Sequence, residues 1–351
     1  MRYERTPPNS ADALCALARD TLVSRRGIVV ATDFDATVSA EADDGISPFT
    51  TAFNEDAGRA LAMLQAHSQA VGIISNRAAG QIAERCWRAG FYTTPVIVGT
   101  YGYELRLPDG SSRIDEQFAA ERDLVTAALH AVRRGMLATY GLADTDYHAV
   151  ETTIPTPHGP VFLEIKGMCH DYPEGLAQEY NFNAIAPPKR TEMVAGLEQH
   201  MRGSLVSYDA DRVRALMSVW GIESLGAPDR PGRYSWALRP AHTRAKAHGL
   251  IRLLRAIHDT ALYQRPIGLL VYAGDHPEQD GQVMWAGKVL ERVSHGDMRF
   301  VGIWAGSGAD PLNASDPSDL HVAGVTGVAS VLTRLAETVA HWDQRDPSES
   351  A

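Results

Sequence analysis

Cysteine is scarce in this chain. There are three, Cys15, Cys86 and Cys169, odd in number and far apart, with no CxxC pair. That pattern indicates neither a disulfide framework nor a cysteine zinc site. Long apolar runs are missing too. The longest, Ile267–Ala273, is the size of a strand and falls well short of the roughly 18–20 residues of a membrane span, so no membrane partner is expected. Positive charge is in deficit, with 33 Lys and Arg against 43 Asp and Glu and a formal charge of −10. Nothing here supplies a phosphate-backbone footprint, which removes nucleic acid as a partner. The opening stretch MRYERTPPNSADAL has no apolar core of signal-peptide type, and no repeat, heptad or low-complexity tract stands out. These absences predict an acidic, soluble, cytoplasmic protein; none of them bears on oligomeric state. What is present is an ordinary globular balance, 44% hydrophobic and 22% charged. At about 150 residues per domain, 351 residues make two domains or one large one.

The apolar pattern alternates in kind along the chain. Ala11–Ser24 reads as a helix with Leu14, Leu17 and Leu22 on one face. Gly27–Thr32 is a short β-branched run, the pattern of a strand buried on both faces. Ala57–His67 then reads as a helix, Ala70–Ile74 as a strand, Ala78–Arg88 as a helix closed by Gly90, and Val96–Val98 as a strand. Such alternation predicts a parallel sheet wrapped by helices. After Leu105 the texture changes: a turn at Leu107–Gly110, a long helical stretch over Ala119–Thr139, antiparallel strands at Val150–Ile154 and Val161–Ile165, a Pro-containing segment Ala184–Lys189, and a strand at Tyr234–Leu238. Buried strands resume at Ile267–Ala273 and Met298–Trp304, and a last amphipathic helix covers Val328–His341. The predicted fold class is α/β, with a core built from 1–106 and 239–351 and an α+β unit, 107–238, inserted between its halves. Trp285 and Trp304 are expected in the core.

Three predicted strands end in polar groups. Asp33-Phe-Asp-Ala-Thr37 follows the first, where ligands sit in open α/β sheets. Two carboxylates one residue apart suit a nucleophile and a proton carrier; alone, Asp-x-Asp is more often a surface turn or helix cap. Ile73-Ile-Ser-Asn-Arg77 puts a hydroxyl before a helix start, a phosphate seat or simply a cap. Val271-Tyr-Ala-Gly-Asp275 is followed by Asp280, and hard oxygen ligands from two strand ends are what Mg2+ prefers. Lys246, on a helix upstream of that strand, would neutralise a phosphoryl oxygen, although a lone helix lysine is usually solvated.

In this order the motifs resemble the haloacid dehalogenase superfamily of phosphatases and, within it, the trehalose-6-phosphate phosphatases. Asp33-Phe-Asp-Ala-Thr-Val stands where that family has Asp-Tyr-Asp-Gly-Thr-Leu, and Ile74-Ser-Asn-Arg77 where it has Val-Ser-Gly-Arg. Gly99-Thr-Tyr-Gly-Tyr-Glu104 replaces Gly-Asn-His-Gly-Ala-Glu, and Glu164-Ile-Lys-Gly167 is similar to the Glu-Asp-Lys-Gly of the family's cap. The resemblance covers nearly the whole chain and implies a Rossmann-like core with an inserted cap. It implies Asp33 as nucleophile, Asp35 as general acid and base, and Lys246 as the neutralising cation, with Arg244 a rival because the spacing from Arg239 is one residue longer than expected. Thr37, Ser75 and Asn76 would bind the phosphoryl group; Glu164, Lys166 and Arg239 of the cap would meet the rest of the substrate. Mg2+ would be held by Asp33, the main-chain carbonyl of Asp35 and Asp275, with Asp280 as a direct or supporting ligand.

The departures gather where a sugar would sit. Gly274-Asp-His-Pro-Glu-Gln-Asp280 replaces Gly-Asp-Asp-x-Thr-Asp-Glu, so His276 and Gln279 stand in place of carboxylates. Ala237-Leu-Arg-Pro240 lacks the Glu of Glu-x-Arg-Pro, and Tyr101 replaces a His. The expectation is a Mg2+-dependent phosphatase for a small-molecule sugar phosphate with a changed leaving group. Trehalose 6-phosphate and the pseudo-disaccharide validoxylamine A 7'-phosphate are the candidates. A glycosyl-glycerate phosphatase and a non-catalytic sugar-phosphate-binding domain are the alternatives.

Overall fold

The computed structural model describes residues 8–40, 52–77, 79–92, 95–99, 102, 104–114, 148–154, 161–169, 201–224, 234–240, 245–259, 263, 265–276, 279–306 and 317–344, with isolated helical positions between 124 and 134 and at 195 and 199. Most of the expected Ala119–Thr139 helix, the Ala184–Lys189 segment and Arg244 lie outside them.

Strand β1 (Gly27–Thr32) is buried along its whole length, and its residues divide by parity. Ile28 and Val30 enter one hydrophobic cluster, Val29 and Ala31 the other. This is the period-two alternation of a strand covered on both faces. β4 (Ala70–Ile74) and β12 (Ile267–Gly274) flank β1 in parallel register, β5 (Val96–Gly99) lies beyond β4, and β13 (Arg299–Trp304) and the short β14 (Leu320–His321) lie beyond β12. An antiparallel pair, β6 (Glu104–Arg106) and β7 (Ser112–Ile114), continues the sheet past β5, giving the order β14-β13-β12-β1-β4-β5-β6-β7. A two-stranded ribbon, β2 (Ser39–Ala40) and β3 (Ala52–Phe53), follows the first acidic motif.

Helices α1 (Ala11–Val23), α2 (Glu55–Ala66) and α3 (Ala79–Arg88) cover one face together with the last helix, Gly324–Asp343. Ser10 Oγ and Asn54 Oδ1 accept from Ala13 N at 3.2 Å and Ala57 N at 3.0 Å, which fixes the starts of α1 and α2. Gly90, at φ +80°, closes the turn after α3, a conformation that favours a residue without Cβ. Leu250, Leu253 and Ile257 of a helix over Ala245–Asp259 and Val283 and Met284 of one over Asp280–Val293 pack on the other face. Ala210–Val219 is α4, so these two are α5 and α6 and the last helix is α7. Trp304 is buried as expected, but Trp285 is 48% exposed. Val283, Met284 and Gly287 are the positions of α6 that face the sheet, which turns the intervening Trp285 outward.

The chain divides into two compact units, 1–114 with 243–351, and 115–242. The sequence reading placed this change at 106/107 and 238/239. β7 stays in the first unit because it is laddered to β6 around the Leu107–Gly110 turn, and the last strand of the second unit continues to Pro240. That second unit holds a four-stranded antiparallel sheet in the order β10 (Trp220–Ser224), β11 (Tyr234–Pro240), β9 (Val161–Cys169), β8 (His148–Ile154). Among the described residues no helix is long and apolar enough to cross a membrane.

Candidate active site

Strand β1 delivers Asp33 to the carboxyl edge of the parallel sheet, where its N–H donates to the Ala273 carbonyl at 2.8 Å. The strands on either side bring the other groups: Ser75 after β4, and Asp275 and Asp280 after β12. Lys246 reaches them from the first turn of α5. Its Nζ lies 3.0 Å from Asp33 Oδ1 and 2.9 Å from Asp280 Oδ1, with all three side chains almost fully buried. Thr37 Oγ1 donates to Asp275 Oδ1 at 3.1 Å. Asp33, Thr37, Asp275, Asp280 and Lys246, read separately along 248 residues of sequence as Asp33 through Asp280, therefore form one cluster.

Asp280 is the hub of that cluster. Its Oδ1 accepts from Lys246 Nζ and from the Tyr272 hydroxyl, at 2.9 and 2.7 Å. Its Oδ2 accepts from the main-chain N–H groups of Asp275 and His276, at 3.0 and 2.8 Å. Four accepted hydrogen bonds fill the lone pairs of a carboxylate. Asp280 is thus built to hold the Asp275 turn and the lysine, while Asp33 and Asp275 keep open lone pairs. The close approach depends on Gly274, because a Cβ there would lie 2.5 Å from the Asp280 side chain.

Electrostatics follow from burial. Burial and the neighbouring Asp280, Asp275 and Asp35 charges raise the Asp33 pKa well above the ordinary carboxylate value, against the pull of Lys246. Burial and Asp280 likewise raise Asp275, opposed by Lys246 and the Thr37 hydrogen bond. Burial works against the Lys246 ammonium, but Asp280 and Asp33 together outweigh it and hold its pKa above the usual lysine value. One ammonium among two buried acids and the half-buried Asp275 leaves an excess of carboxyl groups. Carboxylate oxygens of Asp33, Asp275 and Asp280 lie within 4.8 Å of one another. The open carboxylate oxygens of Asp33 and Asp275, with Asp280 beside them, are the hard donors that fit a dication such as Mg2+.

Asp35 is placed differently. Arg77 Nε and Nη2 form a two-pronged contact with its carboxylate, each at 2.7 Å, and the Asp35 side chain is 39% exposed. Asp35 therefore sits at the rim, held apart from the buried acids. The next residue, Ala36, has φ +53°, a left-handed conformation where the resembled motif has Gly. Ser75 Oγ accepts from Arg77 N at 3.2 Å. Asn76, expected to face the phosphate, donates its amide to Gln279 Oε1 at 2.6 Å. Arg77, Tyr272 and Glu104 stand within the sequence motifs but were given no role there; the buried Oε2 of Glu104 accepts from Ala79 N at the start of α3. Buried-strand position is a signal for Tyr272; Arg77 had only its place after Ser75.

Glu164 and Lys166 lie in β9 and Arg239 in β11. Lys166 pairs with Ala237, so parity puts Glu164, Lys166 and Arg239 on one face of the four-stranded sheet. Glu223 of β10, paired with Ala237, shares that face.

No family model matches this chain, and no curated protein matches it. Its fold is similar to solved structures. An Aspergillus fumigatus trehalose-6-phosphate phosphatase aligns with TM-score 0.51 and 14% identity over 95% of this chain and 100% of that one. A trehalose-6-phosphate phosphatase related protein gives 0.54 and 11% over 90% and 99%, and the C-terminal domain of a Candida albicans trehalose-6-phosphate phosphatase gives 0.52 and 10% over 95% and 98%. At such identity the likeness is one of fold. The expected α/β architecture, a mostly parallel sheet wrapped by helices, is the one observed.

Proposed function

We propose that this protein is a Mg2+-dependent phosphomonoester hydrolase acting on a phosphorylated disaccharide or pseudo-disaccharide. The observation that carries the reading is the Asp33–Lys246–Asp280 cluster at the carboxyl edge of a sheet with the fold of trehalose-6-phosphate phosphatases. The non-catalytic alternative fits less well. A non-catalytic binding domain has no use for a second carboxylate, Asp35, held by Arg77 at the rim of the cluster.

In this reading Asp33 attacks phosphorus, the bond to the sugar oxygen breaks, and Asp35 gives its proton to that oxygen. Asp35 then takes a proton from water, whose oxygen displaces Asp33 and releases inorganic phosphate. Lys246 offsets charge on the phosphoryl oxygens, and Thr37 and Ser75 donate hydrogen bonds to them. Asp33, Asp275 and the Asp35 carbonyl hold Mg2+, with Asp280 fixing Asp275. The dication, when bound, neutralises charge that would otherwise repel the nucleophile. The second unit serves in this reading as the specificity cap, with Glu164, Lys166 and Arg239, which share a sheet face with Glu223, the residues assigned to the unphosphorylated ring. Ala237 stands where the resembled motif has a Glu, and His276 and Gln279 where it has acids. These substitutions favour a leaving group other than plain trehalose, with validoxylamine A 7'-phosphate the specific candidate.

Phosphate release in Mg2+ from trehalose 6-phosphate, validoxylamine A 7'-phosphate, glucose 6-phosphate and a glycosyl-glycerate phosphate tests this. One disaccharide-like substrate should dominate, and Asp33→Asn should lower its turnover by at least about 10⁴-fold. Preference for the glycerate ester would move the protein to the alternative; no release from any would end the phosphatase reading.

A further inference from the structure

Two departures from the resembled motifs touch each other. Asn76 stands where those phosphatases have Gly and Gln279 where they have an acid, and Asn76 Nδ2 donates to Gln279 Oε1 at 2.6 Å. The partners are 203 residues apart in sequence. Asn76 follows Ser75 at the end of β4, and Gln279 immediately precedes Asp280 and α6. β1 lies between β4 and β12 in the sheet, so the hydrogen bond spans the carboxyl end of the strand that delivers Asp33.

Both side chains are committed to this contact. Gln279 holds the N-cap position of α6, yet its side chain makes no hydrogen bond to that helix; a shorter acid there would cap its own helix. Asn76 Oδ1 is buried and has no hydrogen-bond partner among the described residues, so among them the bond to Gln279 orients the amide. On either side stand the groups whose spacing matters. Ser75 is anchored to β5 through its N–H, and Asp280, one residue after Gln279, gathers Lys246, Tyr272 and the Asp275 turn.

We propose that Asn76 and Gln279 are a positioning pair that fixes the separation of the Ser75 loop from the Asp275–Asp280 turn and thereby the width of the phosphate seat. The proposal rests on the phosphatase reading of the same site. A tetrahedral anion held from both sides tolerates little change in that width, since misplacement by about 1 Å can cost 10²-fold in rate.

A double-mutant cycle tests the pair, using Asn76→Ala, Gln279→Ala and both together. The readouts are inorganic phosphate affinity by calorimetry in Mg2+, kcat/KM on p-nitrophenyl phosphate, and Tm. Each single variant should lose about tenfold in phosphate affinity, and the double variant the same tenfold, with Tm little changed. The exchanged pair, Asn76→Gln with Gln279→Asn, keeps the span and should recover what either single exchange loses. Multiplying losses, a loss in only one single variant, or no recovery on exchange would overturn the pairing. Phosphate affinity is read without turnover. A wild type that binds phosphate in this pattern but hydrolyses no ester sinks the phosphatase reading and keeps the pair; one that binds no phosphate sinks both.

Discussion

The two sheets carry their candidate site residues in different ways. At the edge of the eight-stranded sheet each side chain is held by another: Lys246 by Asp33 and Asp280, Asp280 by Tyr272 and two main-chain N–H groups, Asp35 by Arg77. On the four-stranded sheet Glu164, Lys166, Arg239 and Glu223 share a face through strand register. Interlocked groups suit a step common to every phosphate ester, in which geometry cannot vary. A row of charged residues on one sheet face suits selection among leaving groups, where single positions change without disturbing the reaction. The comparison predicts two kinds of mutational effect, one blind to substrate and one governed by it.

The largest effect belongs to the buried lysine. Lys246→Met keeps the volume but leaves Asp33 and Asp280 without their counter-ion, and should destabilise the metal-free protein by about 3–5 kcal/mol in urea unfolding. A loss under 1 kcal/mol would mean the cluster is not interlocked.

Arg77→Ala sharpens the contrast at the rim. With Asp35 unclamped, kcat on a sugar phosphate should fall about 10²-fold, because an alkoxide leaving group needs the proton Asp35 provides. The p-nitrophenolate burst from p-nitrophenyl phosphate, whose leaving group needs none, should keep its rate, while the later water step, which also uses Asp35, slows for both esters. An equal loss in the burst would show that Arg77 supports the fold and has no part in proton delivery to the leaving group.

Alanine at Glu164, Lys166, Arg239 or Glu223 should raise KM for the preferred sugar phosphate by about tenfold and leave p-nitrophenyl phosphate unchanged. A drop on both esters would erase the distinction between the sheets. The smallest effect is local: Ala36→Gly relieves the left-handed residue after Asp35 and should stabilise the protein by about 0.5 kcal/mol, read as a rise in Tm.

Most of the core was legible because burial on both faces is written locally. β1 and β4 match their β-branched runs residue for residue, and β12 runs one residue past its own. α2 starts at Glu55, two residues before the apolar pattern, because Asn54 supplies the cap. The two-residue strands β2, β3 and β14 are too short to show any period. Trp285 misled because a large aromatic in a helix reads as core until the helix's rotation about its axis is known.

The site divides in the same way. Asp33, Thr37, Ser75, Asp275 and Asp280 could be placed as candidates because the end of a buried strand is visible from the run of apolar residues before it. That Arg77 clamps Asp35, that Tyr272 donates to Asp280, and that Asn76 meets Gln279 were not. These contacts depend on the spatial order β12-β1-β4, in which β12 reaches β1's flank from the far end of the chain. The run of residues along the chain specifies which groups stand at a strand's end. Which of them face one another follows from where the crossovers set each strand, and that is settled by packing both faces of the sheet at once.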